Sequence, residues 1–336
     1  MSNLPVAVLL CPGRGSYGRE ELGSIARHLQ PGALADVLAA ADRRRRENGW
    51  PTVGEMDGAA QFRPGLHLHG PNAAELIWFA TLAQLAHLRA RYEIVAVAGN
   101  SLGWYTALPA AGVLSVADGW RLVSTMARLQ DGVAGGQLLT TLVDDAWQQD
   151  DGAVAELTHA LADVGARGTD HFVATSIRLG GHAVLAGTEI GVQALTKALP
   201  RRKVGEREFP FRLAGHGPFH TPLCHAVAEQ ATAELRDLPT RMPDVHLIDG
   251  FGNLHTPWSA DPRALLAYTT GAQVVETFDF TAAVRTAIRE FNPDVLLCAG
   301  PGATLRAPVG HVVLREGYRG IRTRDALFAS NLIRVE

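Results

Sequence analysis

Cysteine is scarce, with only Cys11, Cys224 and Cys298 among 336 residues. An odd number so widely spaced builds neither a disulfide framework nor a zinc-ligand pattern, so no metal is expected and a reducing cytoplasm is the expected compartment. No apolar run reaches the roughly 18 residues of a membrane helix, and the opening MSNLPVAVLL lacks the basic stretch of a secretory leader; no membrane association is expected. Neither charge sign dominates: Lys and Arg number 31, Asp and Glu 34, and the formal net charge is −3, which argues against a nucleic-acid partner. The one dense basic run, Arg43 to Arg46, is flanked by Asp42 and Glu47 and reads as a solvated helix end. There are no internal repeats or low-complexity tracts. What the chain does have is 47% hydrophobic residues, enough for a large core and for one large domain plus a smaller one.

Residues 5–11, PVAVLLC, form the short continuous apolar run of a strand buried on both faces, and they end in the glycine-rich loop PGRGSYG. That loop lacks the P-loop lysine and the dinucleotide G-x-G-x-x-G spacing; it is read as a loop that aims backbone N–H groups. Residues 20–48 read as helix, 49–71 are broken by proline and glycine, and Asn72 is placed to cap a helix over 73–90. From 133 to 208 the pattern changes. Strand-like runs at 138–143, 171–177 and 182–187 alternate with helices at 153–165 and 188–199, and Gly180-Gly181 makes a hairpin turn. This β-α-β-β-α order predicts a small ferredoxin-like subdomain (133–208) inserted into a larger one (1–132 and 209–336). Further strands are predicted at 245–251 and 294–302, with a helix over 276–291.

The chain is organised around 94–108, IVAVAGNSLGWYTAL. A β-branched run ends at Gly99 and turns through Asn100-Ser101-Leu102-Gly103 into a helical segment. Glycine on both sides of Ser101 fits a nucleophile elbow, whose turn leaves no room for a Cβ. The same G-x-S-x-G spacing also fits an ordinary strand-to-helix turn. A serine nucleophile needs a base. Of the thirteen histidines, His220 stands out, because Gly217-Pro218-Phe219-His220-Thr221-Pro222 fixes the backbone before it and starts a helix after it.

Together, PGRGSYG, GNSLGWYTAL, GPFHTPL and AGPGATL resemble, in order, the motifs of the malonyl-CoA:acyl carrier protein transacylase family, which includes the acyltransferase domains of fatty-acid and polyketide synthases. The resemblance covers about residues 5–315. It implies an α/β-hydrolase-like large subdomain with a parallel sheet, and no permanently bound cofactor. It also implies a ping-pong reaction between acyl-CoA and the phosphopantetheine thiol of an acyl carrier protein. In it Ser101 becomes acylated, His220 moves the proton, and the N–H groups of Leu102 and Arg14 hold the oxyanion. The family steadies its histidine with a backbone carbonyl, expected here near Ile248–Gly250, with Asp249 in that stretch. Asn72 stands where the family has a pocket-lining glutamine, helix capping being the alternative.

Several positions depart from the family pattern. Asn100 replaces a histidine and Trp104 a glutamate, at a place where a bulky ring either narrows the entrance or packs on a helix. The arginine that pairs with the free carboxylate of malonyl substrates falls at Met126, and Arg128, two residues on, points elsewhere on a helix. An unpartnered buried carboxylate costs about 2–5 kcal/mol, so a neutral acyl group is expected. Against this, Phe219 resembles the malonyl-type arrangement, and Arg14, where the family has glutamine, is a conceivable relocated anchor. The expected protein is a discrete, monomeric, trans-acting acyltransferase of a fatty-acid or polyketide pathway that moves an acyl group from CoA or a carrier protein to an acyl carrier protein, with Arg201, Arg202 and Lys203 as a candidate carrier-docking patch. The alternatives are a malonyl transferase with a relocated anchor, an acyl hydrolase that clears stalled carriers, and a non-catalytic carrier-binding scaffold.

Overall fold

A computed structural model describes residues 4–336. Its first strand, β1 (Val6–Cys11), is apolar throughout and buried from Ala7 onward, as the continuous run predicts. The predicted helix over 20–48 is interrupted at Pro31-Gly32, where proline and a positive-φ glycine end the first turns, and α1 (Ala33–Glu47) begins. Next comes α2 (Gly70–Arg91), fully packed over most of its length, which delivers the chain to β2 (Glu93–Gly99). After the elbow, α3 (Leu102–Ala110) packs against β1 and β2, and α4 (Val116–Gln130) packs against α1, α2 and α3. Pro109 sits in the last turn of α3, where the break it causes coincides with the helix end.

The chain then builds β3 (Gly136–Thr141), α5 (Asp151–Gly165), β4 (Val173–Leu179), β5 (His182–Gly187), α6 (Glu189–Ala198) and β6 (Phe211–Arg212). It returns through β7 (His246–Ile248), β8 (Leu254–His255), β9 (Phe278–Asp279), α7 (Phe280–Phe291), β10 (Val295–Cys298) and β11 (Ile333–Val335).

Two main sheets result. The larger has the order β8-β7-β2-β1-β10-β11, with every neighbouring pair parallel except β8 with β7. The smaller has the order β9-β4-β5-β3-β6. Within it β4, β5, β3 and β6 are successively antiparallel, the arrangement of a ferredoxin-like β-α-β-β-α-β unit, and Gly180 at φ +63° makes the β4–β5 turn. The strands β6 and β9 join this sheet from outside residues 133–208, and β9 runs parallel to β4. Its other face is closed by α5 and α6 over a separate core that includes Leu138, Leu157, Leu185 and Leu195. The main core fills the large unit around β1, β2 and α2.

The sequence reading of the basic run fails at one position. Arg45 is only 5% exposed and forms a buried ion pair with Glu75, 2.6 Å away. Among the described residues, no helix is long and apolar enough to cross a membrane.

Candidate active site

The elbow is shaped by close packing. A Cβ on Gly99 would clash with the backbone of Gly103, and one on Gly103 with the carbonyl of Cys11 at the end of β1. Ser101, between them, takes φ +55° and ψ −111°, a strained conformation for a non-glycine residue. Its hydroxyl is thereby presented at the N-terminus of α3.

That hydroxyl lies 2.7 Å from His220 Nε2. His220 Nδ1 lies 2.7 Å from the main-chain carbonyl of Gln273. A carbonyl only accepts, so Nδ1 carries the proton and Nε2 is the acceptor facing Ser101. Burial pushes the imidazole down to about 4, opposed only by the Gln273 carbonyl, so His220 is neutral at pH 7. Its backbone is also strained, with φ +57°.

Gln273 binds the two halves of this pair together. Its carbonyl holds the histidine, its Nε2 donates to the Ser101 carbonyl at 3.3 Å, and its Oε1 accepts from the Tyr105 hydroxyl. Nothing in its local sequence, TTGAQVV, marks it, because its role comes from a main-chain atom brought near by the fold. The carbonyl expected near Ile248–Gly250 is therefore supplied elsewhere. Asp249 does not touch His220: its carboxylate accepts from the amides of Phe251 and Asn253, the Asn253 side chain and His255. Burial raises its pKa, but these bonds, His255 first, outweigh burial and hold it below the usual range.

Ser101 and His220 open on a cavity of about 400 Å³ between the two sheets. Gly13, Arg14, Asn100, Leu102 and Phe219 line it. Among the described residues, the amides of Arg14 and Leu102 engage no acceptor. A Cβ on Gly13 would meet the Asn100 carbonyl, so the first loop and the elbow are in direct contact. The small sheet contributes a mostly apolar wall that includes Leu139, Ile177, Leu179 and Val184.

No Asp or Glu lines the cavity, whereas Arg14 and Arg207 do. The Arg14 guanidinium stacks 4.9 Å over the Phe219 ring and donates to the Gly215 carbonyl at 3.2 Å. Burial pulls it down to about 10, the Asp131 charge partly opposing. Burial and the Arg14 charge push His216 down to about 3.

Two expected pocket residues lie elsewhere. Met126 is fully buried in the core and does not line the cavity; Tyr105, and Gln130 one turn further along α4, do. Asn72 neither caps a helix nor reaches the cavity. The helix starts at Gly70 because Pro71 suits its first turn, and the Asn72 amide bonds Arg45 and the Leu66 carbonyl. Trp104 is wholly buried, donates to Thr269 Oγ1 at 2.9 Å and packs edge-on against Tyr268, so it does not narrow the entrance. Arg121 and Arg128 are engaged by Asp237 and Glu234 away from the cavity. In the candidate docking patch, Arg202 is tied to Asp150 and Glu156, and Arg201 reaches the Pro210 carbonyl.

No family model matches the chain. Among curated proteins it is 28% identical over 241 residues to a mycocerosic acid synthase-like polyketide synthase of Mycobacterium tuberculosis, covering 68% of this chain and 10% of that synthase. It is 29% identical over 215 residues to a phthioceranic/hydroxyphthioceranic acid synthase of Mycobacterium bovis, covering 62% and 9%. The chain thus spans about a tenth of the length of these relatives. Its fold is similar to that of the malonyl-CoA:acyl carrier protein transacylase of Synechocystis, with TM-score 0.73, 18% identity and coverage of 98% and 96% of the two chains. It is also similar to the transacylase of Xanthomonas oryzae, with TM-score 0.72, 19% identity and coverage of 98% and 94%. A type II polyketide malonyl-transacylase solved with its acyl-carrier protein gives 0.72, 20%, 92% and 93%. The chain has the fold of the malonyl-CoA:acyl carrier protein transacylases and resembles that family over nearly its whole length.

Proposed function

We propose that this protein is an acyl carrier protein S-acyltransferase of fatty-acid or polyketide synthesis, working through an acyl-Ser101 enzyme. The observation that carries the reading is the hydrogen bond from Ser101 to a buried, neutral His220 whose other nitrogen is fixed by the Gln273 carbonyl. In the first half-reaction, Ser101 Oγ attacks the thioester carbon of an acyl-CoA as His220 Nε2 takes its proton. The C–S bond breaks, and His220 returns the proton to the leaving thiolate. In the second, His220 deprotonates the phosphopantetheine thiol of the carrier, the thiolate attacks the acyl carbon and forms the new C–S bond, the C–Oγ ester bond breaks, and His220 returns the proton to Ser101 Oγ. The free amides of Arg14 and Leu102 are placed to meet the oxyanion in both, each such donor typically worth about 2.7–4 kcal/mol. The elbow fixes Leu102 and the contact of Gly13 with Asn100 fixes Arg14.

The acyl group we propose is a neutral one. Helix α4 offers no cation to the cavity, Met126 lies in the core, and the small sheet's wall is mostly apolar, with Gln137 and His182 its polar members. A second reading, a carboxylated acyl group held by Arg14, is favoured by that guanidinium lining the cavity with a single carbonyl partner. Water as the acceptor would make the same groups an acyl hydrolase. We further propose a subdomain division at 133 and 208, with β6 and β9 clasping the smaller unit to the larger, and a discrete, monomeric, cytoplasmic protein acting in trans. Intact-mass analysis after incubation with acetyl-, longer acyl- and malonyl-CoA tests the assignment. Neutral adducts on wild type, none on Ser101→Ala, and passage to holo carrier protein are expected. A stable malonyl adduct lost in Arg14→Gln establishes the second reading, adducts released only as free acid establish the hydrolase, and no adduct from any thioester overturns the enzyme.

A further inference from the structure

His220 carries a left-handed backbone without being glycine, so its surroundings must hold it there. The peptide that precedes it is gripped at both ends. Its amide, His220 N–H, donates to the Val274 carbonyl at 3.1 Å, in the segment that also supplies Gln273. Its carbonyl, on Phe219, accepts from the Ser176 hydroxyl at 2.8 Å and from Gln137 Nε2 at 3.4 Å. Both donors come from the small sheet, Gln137 from β3 and Ser176 from β4.

The donors form one directed chain. His216 Nδ1 faces Gln137 Oε1 at 2.8 Å and donates to it, Gln137 Nε2 donates to Ser176 Oγ at 2.7 Å, and Ser176 donates to Phe219. Gln137 and Ser176 are both buried, and the chain leaves neither side chain with an unused donor. The backbone is adapted to it as well. The β4–β5 register shifts between Thr175 and Ile177, so Ser176 is the unpaired residue of a bulge. Bulges beside active sites redirect a side chain, and this one turns the hydroxyl off the ladder and onto the Phe219 carbonyl.

We infer that Gln137 and Ser176 are positioning residues for His220: through the Phe219 carbonyl, the small sheet holds the base in the strained backbone from which Nε2 reaches Ser101. The inference rests on the acyltransferase reading, in which His220 moves the proton. It places the seating of the base under the control of the subdomain that walls the other side of the cavity.

A fluorophosphonate probe reads this without knowledge of the acyl group, because it reacts with a base-activated serine. Labelling of Ser101 in the full-length protein is followed against probe concentration, which separates the maximal rate from half-saturation. Ser176→Ala is expected to keep its half-saturating concentration within two-fold and to lower the maximal rate by about 10- to 100-fold, part of the roughly 10²–10⁴ that a positioned base contributes. Ser176→Thr, which retains a hydroxyl, is expected to return to within about three-fold of wild type. Gln137→Leu carries the same expectation at smaller magnitude and serves if Ser176→Ala does not fold. Wild-type maximal rates in Ser176→Ala and Gln137→Leu overturn the inference, as does a loss that Ser176→Thr fails to restore. If the wild type is not labelled at Ser101 at all, the acyltransferase reading itself falls, an outcome distinct from unchanged labelling in the variants.

Discussion

Tyr105 donates its hydroxyl to Gln273 Oε1 at 2.8 Å, so the helix that begins after Ser101 is bonded to the residue whose carbonyl holds His220. Both partners are buried. Gln273→Ala keeps the carbonyl but deletes the bonds to Tyr105 and to the Ser101 carbonyl. The Tyr105 hydroxyl still has the Gln130 side chain beside it, so the loss is that of a net hydrogen bond, about 0.5–1.5 kcal/mol. Urea unfolding is expected to show a loss of that size, and stopped-flow acyl loading a fall of roughly 10-fold. Tyr105→Phe is expected to lose less than Gln273→Ala in both measurements.

Gly103 makes a sharper demand. A Cβ there would enter the space of the Cys11 carbonyl at the end of β1, where the first turn of α3 packs directly on the strand's backbone and neither can give way. Gly103→Ala is expected to exceed about 4 kcal/mol of destabilisation, the range reserved for severe core conflicts, and to yield little folded protein by circular dichroism. Gly65→Ala, where an added Cβ meets nothing within 4 Å, is the control expected to behave as wild type.

These two sites show why part of the machinery was legible in the sequence and part was not. The elbow, the first loop and the segment before His220 carry their geometry in local residue types: glycines where no Cβ fits, and Pro218 and Pro222 beside the histidine. Gln273 acts through a main-chain atom, and Gln137 and Ser176 act on a carbonyl 82 and 43 positions away, so no local pattern marks them. Met126 and Asn72 failed for the converse reason. Their positions in a pattern were read as positions in a pocket, while packing turned Met126 into the core and bound Asn72 to Arg45. The same contact turned Arg45, one of four consecutive arginines, inward to Glu75.

Specificity follows from that placement. Met126→Arg puts a charge on a side chain that is fully buried in the hydrophobic core. Burying an unpaired ion costs several kcal/mol, so the melting temperature is expected to fall without any gain in malonyl loading. Gln130, one helical turn on, lines the cavity. Gln130→Arg is expected to raise the ratio of malonyl to acetyl adduct on Ser101 in intact-mass analysis. An unchanged ratio, or a gain from Met126→Arg, would show that α4 presents a different face to the acyl group.

Protonation of the histidines gives a pH dependence of definite sign. Burial pushes His220 down to about 4 and His311 to about 3, with the His182 charge adding to the effect at His311. Both are at most 4% exposed. An unfolded histidine titrates near 6.5, so between pH 6.5 and about 4 the unfolded chain binds protons that the folded chain refuses. Stability is then complete above pH 6.5 and falls as the pH drops toward the folded values, by up to about 1.4 kcal/mol per pH unit for each histidine. Urea midpoints are expected to decline steadily from pH 7 to 4, and His311→Asn to flatten that decline by one histidine's share. Acyl loading by the folded protein behaves differently. His220 stays neutral until about pH 4, so single-turnover loading is expected to be level from pH 8 to 5. A loading rate that instead halves near pH 6.5 would mean that the imidazole is hydrated and that the seat formed by Gln273 and Phe219 is open in solution.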